Sequence, residues 1–291
     1  MNYYSLSYST DNVGDEIQMV AARQHYPRID GYIDRDRLAT DSRSLPPGKI
    51  VLNGWYMHYR GFRPAWPPPP HIQGLCVSMH VYKKNWFVRS AFASARSREY
   101  LREHGPVGAR DKATKEFFES IGVPSYVSGC MTMTLKSKGY PKTGPVVFCD
   151  AWGHDRSWRY YGPDEYLPSI RHLPLDLENA RHVTHVVEPG AAREDREGRV
   201  RRAEELIDLY DRASLVVTTR LHCALPCIAM GTPVIFFGER QHDARYTNWE
   251  NVLKVRSRDE FIAGNITPDS RPPLTEWTDG LTQACVDFFA E

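Results

Sequence analysis

Leu215-Val216-Val217-Thr218-Thr219-Arg220-Leu221-His222-Cys223-Ala224-Leu225-Pro226 runs from a continuous apolar stretch straight into a helical pattern, with almost nothing between them. A strand that is apolar on both faces must be covered on both faces. That condition is met in a parallel sheet flanked by helices, and much less often in a one-sided antiparallel sheet. The helix it feeds spans residues 221–230, and Gly231 is placed to stop it. Residues 214–218 and 233–237 are then successive parallel strands. Upstream, Ala203, Leu206, Ile207 and Tyr210 fall at helical spacing and mark the buried stripe of a helix over residues 197–212.

The same alternation extends in both directions. Residues 146–149 and 182–187 have strand character, residues 249–253 suit a helix, and residues 274–289 form an amphipathic helix. In the amino-terminal half, residues 3–9 make a weak strand. Asn12-Val13-Gly14-Asp15-Glu16 can cap and open a helix carrying Ile17, Val20, Ala21 and Gln24, until Pro27 ends it. Residues 49–53, 75–81 and 106–109 read as strands. Asp111 is a good N-cap, Ala113, Phe117 and Ile121 share one helical face, Gly122 terminates it, and residues 123–135 supply the last strands of this half. Residues 61–70, with the run Pro67 to Pro70, are too stiff and donor-poor for helix or central strand and form an ordered surface loop. Residues 136–145 are basic, rich in Gly and Pro, and lack periodicity, so the domain boundary is expected there. The expected fold is α/β, with two Rossmann-like domains, residues 1–140 and 141–291, facing across a cleft.

Composition narrows the function classes. The 37 basic residues nearly cancel the 36 acidic ones, so the chain as a whole does not attract polyanions and no nucleic-acid partner is expected. No apolar run approaches the roughly 18 to 20 residues of a transmembrane helix. The first twenty residues are polar and acidic where a signal peptide would be basic and then apolar, so a cytoplasmic location is expected. The six cysteines show no CxxC pairing, and buried thiols in a reducing compartment are the expectation. No metal site is expected: His182 and His185 would point to opposite faces of a strand, and Pro226 disturbs the turn between Cys223 and Cys227.

The opening stretch also carries the chemistry. Its turn lies at the carboxyl end of a parallel strand, where open α/β sheets bind ligands. With Thr218 or Thr219 as the cap, Arg220 and His222 occupy the first helical turn. Positive side chains there oppose the helix dipole by about 0.3–1 kcal/mol. A bound phosphate or carboxylate reverses the sign, because amides, dipole and arginine then act together. The plain alternative is a surface arginine and a core histidine. Arg110, in Val107-Gly108-Ala109-Arg110-Asp111, occupies the matching position in the other half. It either joins Arg220 in gripping a small dianion or pairs with a neighbouring carboxylate such as Asp111. Asn12 and Asp15 suit sugar hydroxyls or simple capping. Trp55, Tyr59 and Trp66 suit sugar stacking or core filling. Arg245, just after a strand, is a candidate third anion contact or part of a plain surface loop.

Four segments in order, Asn12-Val13-Gly14-Asp15, Gly108-Ala109-Arg110-Asp111, Ser128-Gly129-Cys130-Met131-Thr132-Met133-Thr134-Leu135 and Thr219-Arg220-Leu221-His222-Cys223-Ala224-Leu225-Pro226 with Gly231-Thr232-Pro233, resemble the landmarks of the polysaccharide pyruvyltransferase family. The resemblance covers residues 12–233, and the Arg-Leu-His element followed by Gly-Thr-Pro is its most specific part. It implies a glycosyltransferase-B-like pair of domains. The reaction it implies uses phosphoenolpyruvate (PEP) as co-substrate, without a further cofactor, to build a cyclic pyruvate ketal on a sugar of a cell-surface glycan or its lipid-linked precursor. Carried onto this chain, Arg220 and Arg110 hold the donor's phosphate and carboxylate, and His222 is the acid/base. Thr219, Leu221, Asn12 and Asp15 line the substrate site. The Trp66-Pro67 loop departs from the pattern and points to a branch with its own acceptor or donor. An enol phosphate becomes electrophilic when its methylene carbon is protonated, and an imidazole can give that proton near neutrality and later take one from a hydroxyl. The same shape also serves sugar-nucleotide glycosyltransferases, and a non-catalytic scaffold of glycan assembly is a third option.

Overall fold

The computed structural model describes residues 1–56, 66–82, 85–151, 178–188, 195–237, 252–257, 266–269 and 275–290, together with positions 176, 190, 260 and 263. In chain order the elements are β1 (Asn2–Ser7), α1 (Gly14–Arg23), β2 (Gly31–Asp34), α2 (Leu38–Asp41), β3 (Gly48–Val51), β4 (Gly54–Tyr56), β5 (Ile72–Leu75), β6 (Met79–Val81), α3 (Trp86–Ala93), α4 (Ala95–Glu103), β7 (Val107–Ala109), α5 (Lys112–Ser120) and β8 (Ser125–Val127). They continue with β9 (Gly144–Cys149), β10 (Arg181–Val183), α6 (Arg196–Arg212), β11 (Ala213–Thr218), α7 (Leu221–Met230), β12 (Val234–Phe237), β13 (Val255–Arg256) and α8 (Thr275–Ala290). Short 3-10 turns occupy Arg35–Arg37 and Met131–Thr134. The fold is mixed α/β, and among the described residues every strand pairing within the sheets is parallel.

Two compact units divide the chain. Unit 1 holds Met1–Thr10, Gln18–Thr134 and Thr275–Glu291, and unit 2 holds Asp11–Ile17 and Leu135–Leu274. A single cut at residue 140 misses both exchanges. The carboxyl-terminal helix α8 belongs with unit 1 because its apolar face finds partners there. Phe289 packs on Tyr3 and Tyr26, Trp277 covers Gly129, and the Phe288 carbonyl accepts from Lys49 Nζ at 2.6 Å. Conversely, the start of α1 belongs with unit 2, where Val13 N–H donates to the His185 carbonyl and Val187 N–H to that of Asp11.

Among the described residues, unit 2 has one five-stranded sheet in the order β10-β9-β11-β12-β13. Val146, Phe148, Leu215, Val217, Ile235 and Phe237 fill one face as a single apolar cluster. The alternate residues Val147, Cys149, Val216, Val234 and Phe236 are equally buried. Burial of both faces is the reason these strands are continuously apolar, and each such side chain contributes roughly 1.5–3 kcal/mol.

Unit 1 has two four-stranded sheets, β2-β1-β3-β5 and β4-β6-β7-β8. They lie along a shared strand path: β3 leads into β4, β5 leads into β6, and Leu52 N–H donates to the Leu75 carbonyl at the junction. Residues 75–81 therefore do not form the single strand expected. Ser78 adopts a left-handed φ of 53° and breaks the ladder, as Gly54 does at φ 152° on the neighbouring strand. Residues 123–135 hold only β8 and a 3-10 turn rather than several strands. Trp66 is buried against Tyr56, Phe92 and Tyr100, so its ring fills core and is not a sugar platform.

Candidate active site

Strand order points to a candidate site in unit 2. The chain passes from β9 outward to β10 on one side, then returns to β11 on the other, so the strand order reverses direction between the carboxyl ends of β9 and β11. Open parallel sheets bind ligands at such a point. There β9 delivers Asp150 and β11 delivers Thr218, Thr219 and Arg220. Asp150 has a left-handed φ of 44°, uncommon for a residue with a side chain, and this turns its carboxylate across the gap. Its Oδ2 accepts from Arg220 Nε at 2.7 Å and from the His185 backbone N–H at 3.0 Å. Burial alone would raise the Asp150 carboxyl. The Arg220 charge, helped by His185 and by hydrogen bonds from Thr184 and the His185 amide, instead brings it below the ordinary value. Asp150 is thus an ionised partner that fixes the plane of the Arg220 guanidinium.

Neither threonine caps α7. Thr218 Oγ1 donates to the Cys149 carbonyl and accepts from Arg220 N–H, while Thr219 Oγ1 donates to the Asp150 carbonyl at 2.6 Å. Both tie β11 to β9. Arg220 itself is the N-cap residue and provides no side-chain cap. Leu221 and His222 are consequently the first two helical residues, and the helix continues through Pro226 to a left-handed Gly231. Because Pro226 has no N–H, it cannot supply the helical bond to the His222 carbonyl. The Arg220 side chain is 16% exposed.

The Asn12-Val13-Gly14-Asp15 motif stands beside this turn. Asn12 Oδ1 accepts from Gly14 N–H, and Asn12 bridges to Val186 across a short antiparallel contact. A Cβ on Gly14 would lie 3.1 Å from Asn12 Oδ1, 3.1 Å from His185 Nδ1 and 3.3 Å from His222 Cβ. A side chain at Gly14 would press on three neighbours at once, and the distances show that Asn12, His185 and His222 converge. Asp15 is buried in the first turn of α1. Next to it, Glu16 accepts from Arg199 Nε at 2.5 Å. Burial pushes the Glu16 carboxyl up to about 7 against the opposing pull of Arg199.

Behind His222 lies a group that the sequence did not suggest. Cys149, His185 and Cys223 offer ligand-type atoms within 4.8 Å of one another, all buried. Tyr210 stands among them: its hydroxyl is 2.9 Å from His185 Nε2 and donates to Cys149 Sγ at 3.2 Å. Burial raises both thiols well above the ordinary cysteine value. The Tyr210 hydroxyl links His185 to Cys149 within this buried group.

In unit 1, Arg110 and Asp111 follow β7. Arg110 is 2% exposed, and its N–H donates to the Met79 carbonyl. Asp111 caps α5 by accepting from Thr114 N–H with Oδ1, while Oδ2 is bound to His80 Nδ1. Ser128, from the third sequence landmark, donates to the Ala109 carbonyl and accepts from Ser78 N–H, which holds β8 to the same edge. Arg245 and Tyr59 lie outside the described residues.

Asp150, His185 and His80 are the residues that sequence reasoning missed. Asp150 carried a usable signal, since it follows a buried strand just as Arg220 does. His185 and His80 carried none, because their partners are 25 and 31 positions away.

A family model described as polysaccharide pyruvyl transferase matches residues 12–241, more than three quarters of the chain and all four motif segments. No curated protein matches. Among solved structures, a functionally uncharacterised protein from Klebsiella pneumoniae is similar over 85% of this chain and 88% of its own, at 13% identity and a TM-score of 0.48. Among the described residues no helix is long and apolar enough to cross a membrane.

Proposed function

The chain belongs to the polysaccharide pyruvyl transferase family, and on that premise we propose that it transfers a pyruvyl group from PEP onto a sugar diol as a cyclic ketal. The observation that carries the proposal is the Arg220 turn. An arginine anchored by Asp150 stands at the start of a helix with no side-chain cap, at the divergence point of a parallel sheet, with His222 two residues on. Helix amides and a guanidinium together suit a phosphate dianion.

In this reading the donor's phosphate lies against Arg220 and the first turn of α7, and Thr219 and Leu221 contribute backbone at its edge. Arg110 takes the donor's carboxylate, which requires the two units to act as Rossmann-like lobes closing on one ligand in the glycosyltransferase-B manner. His222 protonates the methylene carbon, so that the central carbon becomes electrophilic. One sugar hydroxyl adds, inorganic phosphate departs, and the second hydroxyl closes the ring and returns a proton to His222. Asn12 and Asp15 line the sugar side, and Arg245 is a further anion contact. A cell-surface glycan or its lipid-linked precursor is the acceptor, met at a membrane surface by peripheral contact. The reaction belongs in the cytoplasm, where PEP is made.

Phosphate release from PEP in the presence of galactose-, glucose- or N-acetylmannosamine-containing acceptors tests the reading. Arg220→Ala and His222→Ala are each expected to lower it by at least about a thousandfold. Full activity in either variant removes the proposed centre, and tighter binding of UDP or GDP than of PEP would point to a sugar-nucleotide transferase.

A further inference from the structure

Unit 1 carries an aromatic and basic surface that the donor site does not use. After β6 the chain turns from Tyr82 to Asn85, with Lys83 and Lys84 between them in sequence and the Asn85 N–H donating to the Tyr82 carbonyl at 3.0 Å. Asn85 then caps α3, its Oδ1 accepting from the Phe87 and Val88 N–H groups, which makes Trp86 and Phe87 the first two helical residues. One face of α3 is ordinary: Val88 and Phe92, four positions apart, are buried. The cap and that buried face together turn Trp86 and Phe87 outward, at 69% and 59% exposure, with Tyr82 at 36%. The Trp86 and Phe87 rings meet edge-on at 5.3 Å. A single exposed aromatic needs no explanation, but three within one short stretch form an apolar patch that water solvates poorly.

Charge selects the partner. Residues 42–98 hold nine Lys or Arg and no Asp or Glu, although the whole chain has 36 acidic residues for 37 basic ones. Arg89, one turn on from Trp86, and Arg96, at the start of α4, are both exposed. Large aromatics accompanied by cations match the boundary of an anionic bilayer, where the rings enter the headgroup layer and Lys or Arg stay among the lipid phosphates. A nucleic-acid strand would instead need rings laid flat as stacking platforms along a basic groove, and these rings meet edge to face. The place in the sheet agrees. Because β6 and β7 are parallel neighbours, the turn at Tyr82 leaves the same carboxyl edge of the sheet as Arg110 does, the edge at which open α/β sheets take their ligands.

We propose that the surface formed by Tyr82, Trp86 and Phe87 docks unit 1 on an anionic membrane, with Trp86 and Phe87 entering the headgroup layer and the neighbouring Lys and Arg residues held against lipid phosphates. The inference goes beyond the proposed reaction by naming the surface that meets the membrane, and it rests on that reading only for the lipid-linked acceptor. Docking in this way holds the carboxyl edge of the unit 1 sheet close to the headgroups, where the sugar of a lipid-linked acceptor lies. Aromatic entry and cation attraction are separable, since salt and neutral lipid weaken the second and leave the first.

Sedimentation of the full chain with lipid vesicles tests the docking. On phosphatidylcholine vesicles containing about one third phosphatidylglycerol, Trp86→Ala/Phe87→Ala is expected to bind at least about tenfold more weakly than the wild type. The wild type is expected to bind pure phosphatidylcholine about tenfold more weakly than the anionic mixture. Brominated acyl chains are expected to quench part of the wild-type tryptophan fluorescence, and Trp86→Phe to lose that quench while binding within about threefold of wild type. Should the double variant fail to fold, the quench in Trp86→Phe decides. No binding of the wild type to the anionic vesicles, equal binding by the double variant, or a quench unchanged in Trp86→Phe overturns the proposal. A dimer in solution that the double variant dissolves overturns it too, because the patch then covers a second copy, as does binding of single-stranded nucleic acid that the double variant loses. With PEP, the double variant is expected to lose about tenfold in rate on a lipid-linked sugar in those vesicles and to stay within about twofold on a soluble sugar. Equal losses on both acceptors would mean damage to unit 1 and count against docking. Absence of phosphate release from PEP by the wild-type enzyme removes the reaction instead, and vesicle binding then decides the surface by itself.

Discussion

The two units begin a helix in the same way and finish the job differently. Each runs from a buried parallel strand through an arginine, Arg110 or Arg220, into the first helical turn. After Arg110 comes Asp111, whose carboxylate caps α5 and holds His80. After Arg220 comes Leu221, and the carboxylate that matters is Asp150 from the neighbouring strand, which binds the arginine and leaves α7 with no side-chain cap. The start of α5 is therefore occupied by negative charge, and that of α7 is open to it. An anion is favoured at the start of α7 over that of α5 by this difference, which is why the proposed function gives the phosphate to Arg220.

The largest effect that tests this contrast is on PEP binding. Arg220→Ala removes a charge-assisted contact beside an uncapped helix start, and PEP affinity is expected to drop by at least about 100-fold, the equivalent of roughly 3 kcal/mol. Arg110→Ala is expected to lose about tenfold. Calorimetry on both variants measures the asymmetry. Equal losses would erase it, and a larger loss at Arg110 would reverse the assignment of phosphate and carboxylate.

Asp150 gives the next effect. Asp150→Ala removes the acceptor of two hydrogen bonds, from Arg220 Nε and from the His185 amide, and places a β-carbon without a polar tip at φ 44°. A loss of about 10- to 30-fold in kcat/KM is expected, mostly through KM for PEP. Asp150→Asn tolerates the left-handed backbone and keeps an oxygen for both donors. It is expected to recover to within about threefold, because the role is to hold Arg220 in place. An Asn variant as poor as the Ala variant would show that the charge itself is needed.

The strands β9, β11 and β12 of unit 2 were legible because each is buried on both faces, and a run such as Leu215 to Val217 has few other uses. The βα turn was legible as well, and so was Gly231, where a positive φ favours glycine. What could not be read was anything that depends on strand order. Asp150 and Arg220 are 70 positions apart and meet only because β11 returns beside β9. The pairing of His80 with Asp111 depends in the same way on β6 lying beside β7. The break at Ser78 was hidden because its φ is set by tertiary contacts, among them the Ser128 hydroxyl. The capping role given to Thr218 and Thr219 failed for a related reason: each hydroxyl found a stronger tertiary partner on β9 than the local helix start offered. Gly14 looked like an ordinary helix opener, although it is where Asn12, His185 and His222 converge.

The smallest effect concerns stability and contrasts two acid–arginine pairs within unit 2. Asp150 gathers several donors, and its carboxyl is lowered. Glu16 has Arg199, but burial outweighs that help and holds its carboxyl at about 7, above the ordinary glutamate value of 4.5. A carboxyl raised on folding favours the protonated native state. Its contribution is therefore fully present below about pH 4.5 and is lost as pH rises through about 7, at up to roughly 1.4 kcal/mol per pH unit. Glu16→Gln keeps the shape and cannot ionise, so it should lack this slope. Urea unfolding of both proteins at pH 5 and pH 7.5 isolates the effect, because every other group cancels in the comparison. The wild type is expected to lose stability relative to Glu16→Gln between the two values. Parallel curves would mean that Arg199 fully offsets the burial of Glu16, and that the two pairs of unit 2 differ in their number of donors but not in the sign of their effect.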